Sequence, residues 1–200
     1  MRKTTQLSES KRENIVTAAI LEFREQGFLG ANMTRIAKRA DVSSRTLYKH
    51  FESKDALFSE ISDIMIERNH CMEPVPYDPQ RDFAEQLKDA LWRYMDVITD
   101  ETAIGLNRMV LSELIRDLDR SRKFFAETET HDYPIKRLIA EAMEAGVIHK
   151  EDPAYATDQL LGLVKSFLYW PEFFLGQGNR SKKVMDDCVA LFLAYYDRDR

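Results

Sequence analysis

Apolar residues recur at three- and four-residue spacing along nearly the whole of this 200-residue chain, and 7 glycines and 6 prolines break the pattern only rarely. No useful length alternates apolar with polar residues, and neither an internal repeat nor a low-complexity segment is present. The chain is therefore expected to be all-α. No run of about 18 apolar residues exists, so no membrane span is expected, and "MRKTTQLSES" has no apolar segment behind its basic residues, so no signal peptide is expected. Cys71 and Cys188 match no CxxC pattern, which suggests two free thiols in a reducing cytoplasm.

Capping and breaking residues divide the pattern. A first helix is expected from Ser10, with Glu13 completing a capping box and Ile15, Ala18, Ala19 and Phe23 on one face, ending near Gly27. A short helix follows over 33–40 with Asn32 as its cap, then another over 44–50 capped by Ser43, then a fourth capped by Ser53. "MEPVPYDP" (72–79) holds three of the six prolines and marks the clearest break. Helices are expected beyond it at about 82–99, 102–118, 121–129, 132–146 and 153–175, with Pro171 kinking or ending the last of these. A final helix runs through "RSKKVMDDCVALFLAYYD".

The stretch "VSSRTLYKHFESKDALF" (42–58) bears most on function. Two short helices joined by a turn of three or four residues make a helix-turn-helix, whose second helix enters the major groove of DNA. Leu47 and Phe51, four apart, suit the buried side of that helix, leaving Ser44, Arg45, Tyr48 and Lys49 outward. Arginine can bind guanine O6 and N7 with two hydrogen bonds, while tyrosine, lysine and serine donate to phosphates. Lys54 falls in the first turn of the next helix, where backbone N–H groups also face anions. Residues 1–60 hold 11 Lys/Arg against 8 Asp/Glu, whereas the rest hold 18 against 26. A basic end on an acidic body suits contact with a polyanion, although ordinary fluctuation explains the asymmetry equally well.

"MTRIAKRADVSSRTLYKHFESKDALF", extended back to "RENIVTAAILEFREQGF", resembles the DNA-binding segment of the TetR/AcrR family of transcriptional regulators over about residues 11–60. The resemblance implies a three-helix DNA-binding head over 1–52, joined to a larger helical body over 53–200 that binds a small ligand and forms a homodimer. It puts Thr46, Tyr48, His50 and Lys54 at positions that touch double-stranded DNA, with Tyr48 and Lys54 on phosphates. Ser44, Arg45 and Lys49 lie where the family varies, which marks them as sequence readers. Each has a plainer alternative: Tyr48 as a packing residue, His50 as a helix-end cap, Lys54 as a solvated surface lysine. Arg2, Lys3, Lys11 and Arg12 form either a groove-reaching arm or a solvated one. Asp41 stands where the family usually has Gly, and Asn32 where Thr is common.

In the body, "RMVLSELIRDLDRSRKFF" resembles the AefR-like branch more loosely. Trp92, Met95, Met109, Phe125, Phe167 and Trp170 are the expected material of an apolar ligand pocket, with plain core packing as the alternative. The last two long helices are apolar over more than one face, so Leu160, Val164, Cys188, Leu191, Phe192 and Tyr195 are expected at a two-fold dimer interface. No GxSxG, HExxH, phosphate loop or metal-spaced Cys/His set occurs, so no catalytic residue, metal site or cofactor is expected. The function expected is a cytoplasmic, non-enzymatic, ligand-responsive regulator, most simply a repressor released from a pseudo-palindromic operator by a small apolar or amphipathic molecule. The competing expectation is a helical dimer that binds lipophilic molecules without DNA.

Overall fold

The computed structural model of the protein describes residues 2–70, 73–128 and 134–197, with side chains from residue 9 onward and without those of residues 69 and 70. Cys71 and the side chains of Arg2 and Lys3 therefore lie outside the described part. The described residues form α1 (Arg2–Gly30), α2 (Met33–Arg39), α3 (Ser44–His50), α4 (Lys54–His70), α5 (Phe83–Ile98), α6 (Glu101–Leu114), α7 (Leu118–Thr128), α8 (Pro134–Glu144), α9 (Pro153–Leu168), α10 (Trp170–Leu175) and α11 (Lys182–Tyr195), with no strand among them. Packing groups residues 1–67 with 105–126 in one compact unit, and residues 68–104 with 127–200 in another.

In the first unit, α1 begins at Arg2, so Ser10 lies inside the helix and is not the cap expected of it. Ile15, Ala18, Ala19 and Phe23 are buried along one face. At Gly27 the backbone turns to φ 67°, ψ 167°, a conformation open to glycine and costly to other residues. That turn carries Phe28 back into the core, where its ring centroid lies 5.5 Å from that of Phe23 and 5.3 Å from that of Phe58.

Asn32 caps α2, its Oδ1 accepting from the Thr34 N–H at 2.7 Å. The helix ends in a Schellman motif: Val42 N–H donates to the Ala37 carbonyl at 3.0 Å and Asp41 N–H to that of Lys38 at 3.3 Å. The motif needs a left-handed residue, and Asp41 takes that place at φ 53°, the only non-glycine with positive φ among the described residues. Glu22 of α1 is 1% exposed and accepts from Arg35 Nε at 2.5 Å, with Arg39 Nη2 at 3.8 Å. Arg39 also forms two bonds to Glu25, at 2.8 and 2.6 Å, which hold that carboxyl below its usual range. Leu106, Met109, Val110 and Leu114 of α6 and Phe124 of α7 complete this core.

In the second unit, Gln86 is buried and fixes the proline-rich segment. Its Oε1 accepts from the Asp78 N–H at 2.8 Å, and its Nε2 donates to the carbonyls of Asp78 and Arg81 at 2.9 and 3.1 Å. Glu141 of α8 accepts from the Tyr77 N–H at 2.7 Å. The helix expected over 153–175 is two: α9 stops at Leu168 and α10 restarts with Pro171 in its first turn, where a missing N–H costs nothing. A second Schellman turn ends α8 at Gly146, φ 70°.

The left-handed turn after α2 gives the first prediction. Asp41→Val should lower unfolding stability by about 1–2 kcal/mol, because a β-branched residue tolerates φ 53° poorly, whereas Asp41→Gly should hold or raise it. Urea unfolding of the two variants checks the pair; equal stability would show that the turn is unstrained.

Candidate nucleic-acid interface

α3 has only seven residues, and both of its ends are tied. Ser43 Oγ accepts from the Thr46 N–H at 3.1 Å and lies 2.9 Å from Thr46 Oγ1, so the Thr46 hydroxyl is turned toward the cap. Leu47 and Phe51 are 0% and 4% exposed and anchor the helix to the core. Ser44, Arg45, Tyr48 and Lys49 are exposed, with Tyr48 53% exposed. His50 is half-buried in the last turn.

The sequence did not reveal which cations are already engaged. Arg12, read as part of a basic arm, makes two bonds to Glu60, one of 2.6 Å, with its guanidinium 5.0 Å from the Phe51 ring centroid. Arg35 and Arg39 are held by Glu22 and Glu25. Lys54 Nζ donates to the carbonyls of Leu29 and Ala31, both at 3.3 Å, and lies 4.6 Å from the Phe28 ring centroid. It is thus not a freely solvated surface lysine, and one of its three N–H donors is not used in these two bonds. Lys11, Lys38, Arg45 and Lys49 are exposed and carry no carboxylate partner among the described residues. Two of these four stand on the outer side of α3, beside Ser44 and Tyr48.

The residues expected to line a ligand pocket are divided between the two compact units. Trp92 and Met95 share a face of α5 and line a cavity of about 290 Å³ with Thr99, Leu168, Glu172 and Arg180. The Arg180 guanidinium lies 5.1 Å from the Trp92 ring centroid and 2.5 Å from Asp96 Oδ1. Met109 instead belongs to the core of the first unit. Phe125 (55% exposed), Phe167 (52%) and Trp170 (39%) point outward from their helices. Helical spacing alone does not tell an aromatic residue which side of its helix is covered.

The same correction applies to the expected dimer residues. Leu160, Val164, Cys188 and Phe192 are all 2% exposed or less within the chain, although Phe192 also lines the groove described next. Leu191 and Tyr195 do face outward, at 62% and 58% exposure. They border a groove of about 380 Å³ between α9 and α11, together with Gly162, Leu163 and Ser166. Gly162 has open space where a Cβ would stand. The readable signal was the four-residue step from Leu191 to Tyr195 opposite this bare stretch of α9.

Lys165 of α9 was missed. Its Nζ lies 5.3 Å from the ring centroid of the buried Tyr94, and burial pushes its pKa down to about 8, with Asp158 opposing the shift. No group of three or more His, Cys, Asp or Glu among the described residues is placed to hold a metal ion, and no helix among them is long and apolar enough to cross a membrane.

Comparison with known proteins agrees with this geometry. Residues 15–61 match the profile of bacterial regulatory proteins of the tetR family, and residues 85–198 match that of the AefR-like transcriptional repressor C-terminal domain. A crystal structure of a TetR family transcriptional regulator from Pseudomonas syringae pv. tomato is 33% identical, with a TM-score of 0.77, covering 93% of this chain and 96% of that one. The flavonoid-responsive regulator FrrA is 29% identical, with a TM-score of 0.70 over 93% of this chain and 94% of its own. The HTH-type transcriptional regulator AcrR of Shigella flexneri is 26% identical over 98% of this chain and 93% of its own length.

The half-buried Lys165 gives a prediction with a definite sign. Lys165 holds its proton less tightly when folded, at about 8, than at its ordinary value of 10.5. The unfolded chain therefore binds more protons in that window, so stability should rise as pH increases from about 8 toward 10.5. Lys165→Met should remove this rise, as measured by denaturant unfolding at several pH values. An identical pH profile in the variant would mean that the ammonium is not desolvated.

Proposed function

The chain belongs to the TetR family of bacterial regulatory proteins, as a ligand-responsive DNA-binding transcriptional regulator, and on that premise we propose that it is a repressor that binds a pseudo-palindromic operator as a homodimer. One observation carries the proposal. Where Arg12, Arg35 and Arg39 are neutralised by carboxylates, α3 displays Arg45 and Lys49 unpaired, beside exposed Ser44 and Tyr48. A short helix with four outward donors, and with no carboxylate paired to Arg45 or Lys49 among the described residues, suits a major groove lined by phosphates.

In this reading residues 1–52 bind DNA and residues 53–200 bind the ligand and dimerise. Arg45 reads a guanine edge, with Ser44 and Lys49 adjusting the preference. Tyr48 and Lys54 hold phosphates, and Thr46 and His50 touch the duplex while Thr46 also meets the Ser43 cap. Leu191 and Tyr195 meet their symmetry mates across the α9–α11 groove, over a core kept rigid by Leu160, Val164, Cys188 and Phe192. Two heads about one DNA turn apart, ~34–36 Å, then read two half-sites. The effector is a small apolar or amphipathic molecule, for which the cavity beside Trp92 and Met95 is one seat. A relative described as flavonoid-responsive supports that chemical class. Its release from DNA would need a coupling of about 1–3 kcal/mol, a change of about 5–150-fold in affinity. The protein is proposed to work in the cytoplasm and to have no catalytic chemistry.

Selection of bound fragments from a random DNA pool tests the assignment of roles. Arg45→Ala should lose discrimination at one base position per half-site, by about 1–3 kcal/mol. Tyr48→Phe should weaken matched and mismatched duplexes alike. Uniform loss for both variants would overturn the division between reading and holding. Separately, Leu191→Asp combined with Tyr195→Asp should convert the dimer to a monomer in sedimentation. A dimer that survives both charges would place the interface elsewhere.

A further inference from the structure

We propose that Arg120, a residue of α7 outside the helix-turn-helix, positions the DNA-reading helix by clamping the first turn of α4. Its guanidinium lies 4.5 Å from the ring centroid of Phe28 and 4.7 Å from that of Phe58. Its Nη2 donates to Asp55 Oδ1 at 2.6 Å, and its Nε lies 3.4 Å from Asp117 Oδ2. Asp117 is itself fixed, because it accepts from the Arg120 backbone N–H at 3.0 Å. A planar guanidinium can stack on aromatic rings while its edge donates to carboxylates, a combination that an ammonium cannot reproduce. The Arg120 side chain is 22% exposed and that of Asp55 67%, so the ring stacking lies in the less solvated part of the clamp and the ion pair in the more solvated part.

The clamp bears on α3 because of its place in the chain. Lys54 and Asp55 are consecutive residues of the first turn of α4, directly after the recognition helix and its anchor Phe51. Lys54 ties that turn to the Leu29 and Ala31 carbonyls, and Asp55 ties it to Arg120. α3 has one buried residue of its own, Leu47, with Phe51 buried at its C-cap, so its pose depends on how firmly this following turn is held. The profile match for the DNA-binding segment ends at residue 61, whereas Arg120 falls in the match for the C-terminal domain, 85–198. A residue matched by the C-terminal-domain profile therefore belongs to the same compact unit as the DNA-binding segment. The inference rests on α3 being the helix that contacts DNA.

The test compares the full chain with Arg120→Ala, Arg120→Lys and Asp55→Asn. It reads amide hydrogen exchange and affinity for a duplex that the wild type has selected from random DNA. Arg120→Ala should speed exchange across residues 44–58, leave residues 153–168 unchanged, and weaken DNA binding by about 3- to 30-fold. Arg120→Lys should recover part of both effects. Asp55→Asn, which leaves the ring stacking intact, should lose part of both and carries the test if Arg120→Ala does not fold. Affinity within about twofold of wild type with unchanged exchange over 44–58 would overturn the proposal. So would faster exchange spread equally over 153–168, since Arg120 would then be a general structural residue. If the wild type selects no DNA, the reading of α3 fails, while the exchange measurement still judges the clamp.

Discussion

A helix of seven residues has no stability of its own in water, where isolated helices shorter than about 12–15 residues are marginal. α3 is therefore imposed by its surroundings. Leu47 and Phe51, four apart and buried, fix one side to the core, and the Ser43 cap fixes its start. Everything that makes the chain a DNA-binding regulator follows from that constraint. Once Leu47 and Phe51 point inward, the helical period turns Arg45 and Lys49 outward, and Ser44 in the first turn and Tyr48 at the flank are exposed as well.

Electrostatics then sorts the basic residues of the same unit into two groups. One group is structural: Arg35 and Arg39 surround the buried Glu22, Arg12 grips Glu60, and Arg120 and Lys54 flank the Phe23–Phe28–Phe58 cluster. The other group faces water without carboxylate partners. A polyanion competes for cations that have no internal partner, so position in this charge network, more than residue type, separates framework from interface. The left-handed Gly27 supports the arrangement from beneath by returning Phe28 to the aromatic cluster that both Lys54 and Arg120 cover.

Much of this was legible because it is local. Asn32, Ser43 and Ser53 cap their helices through bonds that span two or three residues, and Pro171 and Gly146 break theirs for reasons fixed by their own backbones. What was not legible depends on which side of a helix is covered. α11 is apolar nearly all round in sequence, yet Cys188 and Phe192 lie inside while Leu191 and Tyr195 lie outside. Met109 and Trp92 look like companions by composition but fall in different packing units. The roles of Lys54 and Arg120 rest on contacts across 25 and 65 residues of chain, for which short-range spacing carries no signal. The early start of α1 shows the same weakness at a helix boundary, since a good capping box at Ser10 was overridden by continued helix.

The central claim is that α3 presents uncompensated donors to the phosphates and base edges of duplex DNA. Binding of the purified full-length protein to a duplex recovered from random-sequence selection, measured over a series of salt concentrations, tests this most directly. The account predicts tight binding at low salt, with the logarithm of affinity falling steeply and linearly with the logarithm of salt concentration, by about 0.9 for each phosphate neutralised. Failure to retain any duplex at low ionic strength, or an affinity indifferent to salt, would contradict it.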